Sequence, residues 1–264
     1  MRELFLFTIV IILLTPGCIV GSDINNEEFT LATTTSMRDS GLLEYLLPQF
    51  TTSTGIELRY VAVGTGAALN LGESGDADVL IVHSPKMEEE FISLGKGIER
   101  TPFTWNKFII IGPSNDPANI SKTTDVFEAL KRIHATKSCF VSRGDESGTH
   151  SKEIELWDIA NITPKGDWYL SIGQGMGAAI TMAYQKDCYT LSDRGTFLHR
   201  DDTNLKSYNF NSEELVNIYS IIILDNPMKE QSKILQEYLN SDGQDVIRNY
   251  TVNGEILFNP ISSL

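Results

Sequence analysis

From Phe29 onward, short apolar runs alternate with longer amphipathic runs, and this alternation is the strongest constraint on the fold. The apolar runs are FTLATT, IELRYVAVG, ADVLIVHS, KFIIIGPSNDP, SCFVSRG, CYTLSDRG and YSIIILDN. Continuously apolar runs of this length are typical of strands that are buried on both faces of a parallel sheet. The alternation therefore predicts an α/β fold, with helices packed on the faces of a mostly parallel sheet.

The amphipathic runs between these strands have the spacing of helices that bury one face. The first has an apolar face made of leucines and one phenylalanine: Leu42, Leu43, Leu46, Leu47 and Phe50. Asp39 or Ser40 is placed to cap the start of this helix, and Gly55 is placed to end it. Further helices are predicted in GAALNLGES, TTDVFEALKRIHA, SGTHSKEIELWDIA, GAAITMAYQK, KEQSKILQEYLNS and GQDVIRNY.

The order of these elements indicates two lobes. The 264 residues, 41% of them hydrophobic, suffice for two cores. A fresh alternation of strand and helix starts near Gly112, and the late strand YSIIILDN returns the chain to the first unit. We therefore predict a first lobe over 29–111 and 218–264, a second lobe over 112–217, and two chain crossings that form a hinge.

The N-terminal residues have the pattern of an export signal. An almost wholly apolar stretch of eleven residues, 4–14, follows one basic residue and stops at a Pro-Gly-Cys sequence. As a helix it would span about 16 Å, short of the roughly 30 Å of hydrocarbon in a bilayer. We predict a signal peptide over 1–17 and export of the mature chain.

The sequence around Cys18 resembles the lipobox of prokaryotic lipoproteins, in which a lipidated cysteine becomes the new N-terminus. Gly17 fits that pattern, whereas Thr15 and Pro16 stand where an aliphatic and a small residue are commoner. The resemblance implies a lipid on Cys18, a polar tether over 18–28 and a position on the extracytoplasmic face of the cell membrane. Cleavage without lipidation is the alternative.

Outside the cytoplasm, Cys139 and Cys188 can form a disulfide. Each stands at the head of an apolar segment, CFVS and CYTLS, so two neighbouring strands would bring the two thiols together. Two buried free thiols are the alternative.

The charge of the chain limits its partners. Asp and Glu number 35 against 21 Lys and Arg, which gives a formal net charge of −14. This balance argues against nucleic acid or an anionic membrane surface as a partner.

Loops of one chemical character follow several predicted strands. They consist of small, hydroxyl-bearing or glycine residues at the start of a predicted helix, in segments 33–36, 63–66, 142–149 and 173–177. A helix N-terminus has unpaired backbone N–H groups and the positive end of the helix dipole, so such loops bind anions. Ligands of open α/β sheets bind beyond the carboxyl ends of the strands, where several such loops can surround one anion.

Arg143 is the most specific residue in these loops. Its planar guanidinium matches two oxygens of an oxyanion and stays charged at every relevant pH. The alternative role is a salt bridge to Asp145 or Glu146. Ser147 and Thr149 follow closely and offer hydroxyl groups to the same anion.

The pattern of Arg143, Asp145, Ser147, Gly148 and Thr149 resembles the anion loop of phosphate-binding proteins. A wider set of segments resembles the tungstate-binding component of Tup-type ABC transporters: TTTSMRDSGLLEYLLPQF, VAVGTGAALNLGESGDADVLIVHSP, FVSRGDESGTH, GDWYLSIGQGMGA and YTLSDRGTF. This resemblance covers about 31–195.

The resemblance implies a two-lobed, periplasmic-binding-protein-like fold of type II, with two hinge crossings and the ligand in the interlobe cleft. It implies tungstate or molybdate as the ligand, no other cofactor, and the permease subunits of an ABC importer as partners of a monomeric binding protein. Carried over onto matching positions, the proposed oxyanion contacts are Thr34, Thr35, Ser36, Thr65, Gly66, Arg143, Ser147 and Thr149.

Asp145 is the residue on which selectivity depends. Tungstate, molybdate and sulfate carry no proton at neutral pH, whereas phosphate keeps one and needs an acceptor. A carboxylate that faces the site would favour hydrogen phosphate, and one that turns to Arg143 or a loop amide would leave only donors. The sequence leaves both orientations open, and a phosphate-binding protein of an ABC importer is the alternative function.

Other classes of function have weaker support. The histidines have no catalytic or zinc-binding spacing: His83, His134, His150 and His199. No serine lies in a G-x-S-x-G elbow, and the GQGMGA glycines do not match dinucleotide spacing. We therefore expect neither an enzyme nor a metal site, and the Arg-Gly-Asp tripeptide at 143–145 is too short to indicate an adhesion protein. Asp193 and Arg194 are expected to form an ion pair that supports the second lobe.

Overall fold

The structure is a computed structural model that describes residues 28–200 and 202–264. The predicted signal peptide, 1–17, lies outside the described residues, as do Cys18 and all but the last residue of the predicted tether. No helix within the described ranges has the length and apolar character needed to cross a membrane.

The first lobe begins with strands and helices in alternation. These elements are β1 (Phe29–Thr34), α1 (Thr35–Asp39), α2 (Leu42–Thr54), β2 (Leu58–Val63), α3 (Thr65–Ser74), β3 (Val79–Val82) and α4 (Pro85–Ser93). β1 pairs in parallel with β2 and with β3. The carboxyl ends of all three strands therefore lie at one edge of the sheet, where the loops to α1, α3 and α4 begin.

The long strand β4 (Glu99–Gly112) leads into the second lobe. That lobe contains α5 (Val126–Thr136), β5 (Phe140–Ser142), α6 (Gly148–Ile159), β6 (Tyr169–Ser171), α7 (Met176–Lys186), β7 (Tyr189–Asp193), α8 (Arg194–Leu198) and β8 (Lys206–Tyr208). β5 pairs in parallel with β6 and with β7. The loop to α6 therefore starts at the carboxyl edge of this half of the sheet.

The chain then returns to the first lobe. The remaining elements are β9 (Val216–Ile223), α9 (Lys229–Asn240), α10 (Asp242–Asn249), β10 (Thr251–Val252), β11 (Glu255–Ile256) and β12 (Asn259–Pro260). β9 pairs antiparallel with β3 on one side and with β4 on the other. In the described part of the chain, one ten-stranded sheet with the order β2-β1-β3-β9-β4-β7-β5-β6 runs through both lobes, with β8 and β12 also paired to β4. The predicted two-lobed α/β fold is confirmed. The expectation of a mostly parallel sheet was wrong, because the strands that connect the lobes, β4 and β9, pair antiparallel with their neighbours and the sheet is mixed.

The crossing between the lobes lies within β4. Its residues 99–107 pair with β9, and residues 108–111 pair with β7. Phe108 and Ile110 pack into one core of the second lobe, and Ile109 and Ile111 into the core on its other face. The crossing therefore lies earlier in the chain than the boundary expected at 111–112, because the apolar run before Gly112 belongs to the second lobe.

The start of the first helical region differs from the sequence prediction. Thr34 caps α1, with its hydroxyl accepting from the amide of Met37 at 3.3 Å. α2 follows Gly41, whose φ of 72° breaks the helix, so α1 and α2 are separate. The prediction of a cap at Asp39 or Ser40 was wrong, because the Ser40 hydroxyl donates back to the Met37 carbonyl and Asp39 pairs with Arg38. Gly55 ends α2 as predicted, with a φ of 73°.

A disulfide joins Cys139 to Cys188, at the starts of β5 and β7. The two strands are parallel neighbours, so their starts lie side by side, with the two Cα atoms 4.6 Å apart. This bond lies at the amino end of the strands, opposite the edge at which β5 leads to α6.

Candidate oxyanion site

The loops before α3 and α6 meet across the cleft between the lobes. A Cβ atom built on Gly148, the first residue of α6, would lie 3.1 Å from Thr65 Oγ1 and 3.2 Å from His83 Cε1. A Cβ atom on Gly64 would lie 3.9 Å from Ser147 Cβ. The second lobe therefore rests directly on the first at this point, and the absence of a side chain at Gly148 permits the close approach.

Two threonine hydroxyls at this contact have no partner. Thr65 is 0% exposed and Thr149 is 1% exposed, and neither Oγ1 has a hydrogen-bond partner among the described residues. A buried polar group without a partner costs about 1–3 kcal/mol, so such groups point to a ligand or water that completes them. The two hydroxyls come from opposite lobes, and each lies in the first turn of a helix, where an anion is favoured.

The helix starts around the cleft have few side-chain caps. Gly64 and Gly175 precede α3 and α7 and supply no side chain to cap them. Ser147 caps α6, with its Oγ accepting from the amide of His150 at 3.3 Å. The uncapped first-turn amides of α3 are left as donors beside Thr65.

Arg143 and Asp145 form a buried ion pair. The Arg143 side chain is 4% exposed, and its Nη2 donates to Asp145 Oδ2 at 2.5 Å and its Nε to the same oxygen at 3.1 Å. Asp145 Oδ1 accepts from the amide of Ser147 at 3.2 Å. Burial opposes its ionisation, yet the hydrogen bonds of Ser147 and the charge of Arg143 hold the pKa of Asp145 below its ordinary value. Both carboxylate oxygens are therefore occupied by donors of their own loop.

This pairing leaves part of the guanidinium available. Arg143 Nη1 donates to no group in the part of the chain that the structure describes, while Nε and Nη2 are held by Asp145. Asp145 thus fixes the plane of the guanidinium and does not remove its remaining donors. Arg143 therefore forms the salt bridge expected as its alternative role and still keeps Nη1 as a donor without a partner among the described residues.

The loop after β5 requires glycine at one position. Gly144 has a φ of 59°, and a Cβ atom there would overlap Ser171 Oγ. The amide of Gln174 donates to the Arg143 carbonyl at 3.1 Å, so the glycine-rich segment 173–177 is hydrogen-bonded to this loop. That segment supports Arg143.

Three of the four hydroxyl groups of the TTTS segment, those of Thr33, Thr34 and Ser36, are hydrogen-bonded within the first lobe. Thr33 Oγ1 donates to the Ile81 carbonyl at 2.9 Å, and Thr34 caps α1. Ser36 Oγ lies 2.9 Å from His83 Nε2. Thr35, the first residue of α1, is half-buried. Ser36 and Thr34 are thus brought to the site region, but their hydroxyls are already paired.

His83 was not among the predicted site residues. It follows β3 at the same sheet edge as the other loops, and burial lowers its pKa to about 4. The signal was its place in the sequence VLIVHSP, directly after a buried strand, as Thr35 and Arg143 directly follow theirs.

Gly66 lies on the outer side of the contact. It lines a cavity of about 500 Å³ together with Met87, Glu73, Glu90 and Glu146. Asp145 also lines this cavity, and a lining of acidic and apolar side chains suits an anion poorly, so this cavity is not the candidate site. The expected contact of Gly66 has less support from its surroundings than that of Thr65.

The expected ion pair between Asp193 and Arg194 was wrong. Asp193 is fully buried and caps α8, accepting from the Thr196 amide and hydroxyl at 2.7 Å each. Arg194 pairs with Glu255. Neighbouring residues at the start of a helix point in different directions, and the partner of Arg194 comes from the far end of the chain.

Comparisons with known proteins agree with this architecture. A model of the PBP superfamily domain matches residues 21–252. The tungstate-binding protein TupA of Peptoclostridium acidaminophilum is 47% identical over 242 residues, covering 87% of this chain and 84% of the relative.

Two solved structures are similar over most of their length. The tungstate-binding protein TupA from Desulfovibrio alaskensis G20 has a TM-score of 0.75 and 42% identity, covering 88% of this chain and 98% of that one. The tungstate ABC transporter structure from Geobacter sulfurreducens has a TM-score of 0.78 and 43% identity, covering 85% and 99%. The chain therefore belongs to the PBP superfamily and, within it, to the family of the TupA tungstate-binding proteins.

Proposed function

We propose that this chain is the extracytoplasmic solute-binding component of an ABC importer and that it binds tungstate in the cleft between its lobes. The proposal rests on its family and on the chemistry of the cleft. The anion is bound as a deprotonated tetrahedral ion, molybdate being the related ligand, and the permease subunits are the partners that receive it. Binding requires no cofactor and no catalytic step.

One observation supports the proposal most directly. Thr65 and Thr149 come from opposite lobes, are buried, and have hydroxyls without a partner among the described residues. The Arg143 guanidinium adds a charged donor edge to the same pair of loops. A small anion between the lobes would provide an acceptor for all three groups.

The donors of the site favour a ligand without a proton. Asp145 accepts from Arg143 and from the amide of Ser147, and these bonds turn its carboxylate toward its own loop. A site lined by donors binds tungstate, molybdate or sulfate better than hydrogen phosphate, whose proton would face another donor. The phosphate alternative is therefore not favoured.

Lobe closure supplies the mechanism of capture. The anion first contacts the donors of one lobe, and the donors of the other lobe complete the cage when α6 comes to rest on Thr65 and His83. The ligand stabilises the closed form only through contacts that the open form lacks. Thr35, Gly66 and Ser147 are secondary contacts in this scheme.

Calorimetric titration with tungstate, molybdate, sulfate and phosphate tests the proposal. We expect tight binding of tungstate, weaker binding of sulfate and no measurable binding of phosphate. Flat traces for all four anions would refute an oxyanion-binding function. Tight binding of phosphate alone would favour the alternative importer.

The position at the membrane is tested separately. We propose that Cys18 carries a lipid and that residues 18–28 form the tether. Expression in a bacterial host should give a membrane-bound chain, and Cys18→Ala should release it. Equal release of both chains would show that the signal is cleaved without lipidation.

A further inference from the structure

A buried chain of hydrogen bonds runs from the loop after β1 to the two hinge strands, with His83 at its centre. His83 Nε2 lies 2.9 Å from Ser36 Oγ, and His83 Nδ1 lies 2.9 Å from Asn217 Oδ1. Asn217 in β9 donates in turn to Asn106 Oδ1 in β4 at 2.8 Å. All four side chains belong to residues that are no more than 4% exposed. This series of hydrogen bonds therefore links the start of α1 to β4 and β9.

The direction of these hydrogen bonds follows from Asn217. Its amide nitrogen donates to Asn106 and also to the Tyr219 hydroxyl at 3.1 Å, so its oxygen faces His83 as an acceptor. His83 Nδ1 therefore carries the ring proton, and Nε2 presents a lone pair. Because the buried ring is neutral at neutral pH, the hydroxyl of Ser36 donates to Nε2.

Thr34 adds one more hydrogen bond to this series, with its proton also directed toward His83. Its Oγ1 accepts from the Met37 amide and lies 3.1 Å from Ser36 Oγ. Since the proton of Ser36 goes to His83, Thr34 donates to Ser36. The hydroxyl protons of Thr34 and Ser36 are thus committed inside the first lobe, in contrast to those of Thr65 and Thr149.

His83 also meets the second lobe. Its Cε1 lies 3.2 Å from the point at which a Cβ atom on Gly148 would stand, and its ring packs on Tyr219 with the centroids 4.7 Å apart. The His83 ring therefore lies between Tyr219 of β9 and the first turn of α6.

We propose that His83 is the positioning residue of the oxyanion site. It draws the hydroxyl protons of Ser36 and Thr34 away from the anion and ties their loop to β4 and β9 beneath the start of α6. Thr65 and Thr149 then supply the hydroxyl donors to the anion, and Ser36 has a supporting role. This inference rests on the proposed function for the identity of the anion.

Nitrogen NMR of the histidine rings tests the tautomer without any ligand. Spectra of the ligand-free chain at pH 7 should show His83 with the proton on Nδ1, and His83→Gln identifies its signals. His150 is the internal control, because its Nδ1 accepts from the amide of Glu146 at 3.1 Å and its proton must be on Nε2. A proton on Nε2 of His83 would overturn the proposal.

Tungstate titration tests the roles of the side chains. Ser36→Ala should weaken tungstate binding by less than Thr149→Val does, and should unfold at a lower temperature because His83 Nε2 loses its donor. Thr149→Val should bind about tenfold more weakly, as expected for loss of a direct donor. An equal loss of affinity in the two variants would overturn the proposal.

Substitution of the ring itself completes the test. His83→Phe keeps a planar ring and removes both hydrogen bonds, and we expect at least tenfold weaker binding of tungstate. His83→Gln can donate again to Asn217 Oδ1 and so restore the link to β9, and it should recover part of that loss, which a purely steric role would not explain. Unchanged tungstate binding by His83→Phe would overturn the proposal. If that variant does not fold, the NMR result and the comparison of Ser36→Ala with Thr149→Val decide whether His83 is the positioning residue.

The outcomes separate this proposal from the proposed function. Failure of the unchanged chain to bind any of the four oxyanions would refute the function while the tautomer of His83 could still be measured. Tight tungstate binding with His83 protonated on Nε2 would support the function and refute the positioning role.

Discussion

Thr65 Oγ1 lies 3.1 Å from the position that a Cβ atom on Gly148 would occupy, so a methyl group there would fit the closed cleft only if Thr65 or His83 shifted by a few tenths of an ångström. Gly148→Ala should therefore hinder closure and weaken tungstate binding at least tenfold. The same change should slightly stabilise the ligand-free chain, because alanine is the better helix former. Calorimetry and thermal unfolding measure the two effects.

Gly64→Ala is the matched control for that change. A Cβ atom at Gly64 would be in ordinary contact with Ser147, at 3.9 Å, and the residue has an extended backbone with a φ of −72°. We expect less than a threefold change in affinity. Comparable losses in both variants would mean that the contact between Gly148 and Thr65 does not limit closure.

The unpartnered hydroxyls of Thr65 and Thr149 predict an unusual combination of effects. Replacing either residue by valine should leave the ligand-free chain equally stable or more stable by about 1 kcal/mol, because a buried unpaired group is removed. Tungstate affinity should fall about tenfold, or about 1.4 kcal/mol. Thr33→Val should lower the stability of the ligand-free chain and change tungstate affinity little, because the Thr33 hydroxyl is paired with the Ile81 carbonyl. Loss of stability without loss of affinity at Thr65 would contradict the site.

Arg143→Ala should weaken tungstate binding more than Thr149→Ala. The arginine supplies a charged donor in a buried cleft, and its removal also leaves Asp145 as an uncompensated negative charge next to the anion. We expect a loss of about 100-fold, or about 2.7 kcal/mol. Arg132→Ala, which removes a surface pair with Glu128, serves as the control and should change affinity little. An equal or smaller loss than that of Thr149→Ala would refute the assignment.

Glu153 predicts a dependence of stability on pH. Its Oε1 accepts from Trp157 Nε1 at 3.1 Å and from the Tyr169 hydroxyl at 2.7 Å, and burial raises its pKa to about 7 from an ordinary value of 4.5. Between these two values the folded chain keeps a proton that the unfolded chain has lost. This stabilisation is complete below pH 4.5 and is lost as the pH rises through 7.

Thermal unfolding from pH 4 to pH 8 checks that sign. The difference between the unchanged chain and Glu153→Gln should decline across the window by on the order of 3 kcal/mol and level off above it. Glutamine keeps the shape of the side chain without its titration. A difference that grows with rising pH would contradict the raised pKa.

Reduction of the disulfide between Cys139 and Cys188 should affect stability and not affinity. The bond closes a loop with a sequence separation of 49, for which the chain-entropy model gives about 4 kcal/mol at 25 °C. It lies at the end of β5 away from the candidate site, so the double variant Cys139→Ser, Cys188→Ser should bind tungstate normally. A tenfold loss of affinity at a temperature where the variant is folded would mean that the bond also shapes the site.

The sequence allowed the strands to be predicted for a physical reason. Buried parallel strands must be apolar on both faces, so runs such as VLIV stand out, and their carboxyl ends must share one edge. The approach of Thr65 to Gly148 across the cleft follows from that rule together with the two crossings.

Other features depend on contacts that no local pattern specifies. Asn106 and Asn217 are single polar residues in hinge strands, and only the fold brings them together under His83. Arg194 pairs with Glu255 from the opposite end of the chain. The apolar run at 108–111 would suit either lobe, so the position of the crossing was not readable from composition.

The alternation of side chains along β4 restricts how the two halves of the molecule can move. Phe108 and Ile110 are fixed in one apolar layer, and Ile109 and Ile111 in the opposite one. A slip by a single residue would exchange the two sets between layers, so sliding along the strand is forbidden. A pivot before Phe108 keeps both layers packed, so rotation of the lobes is compatible with this strand and would open a widening gap to the cleft.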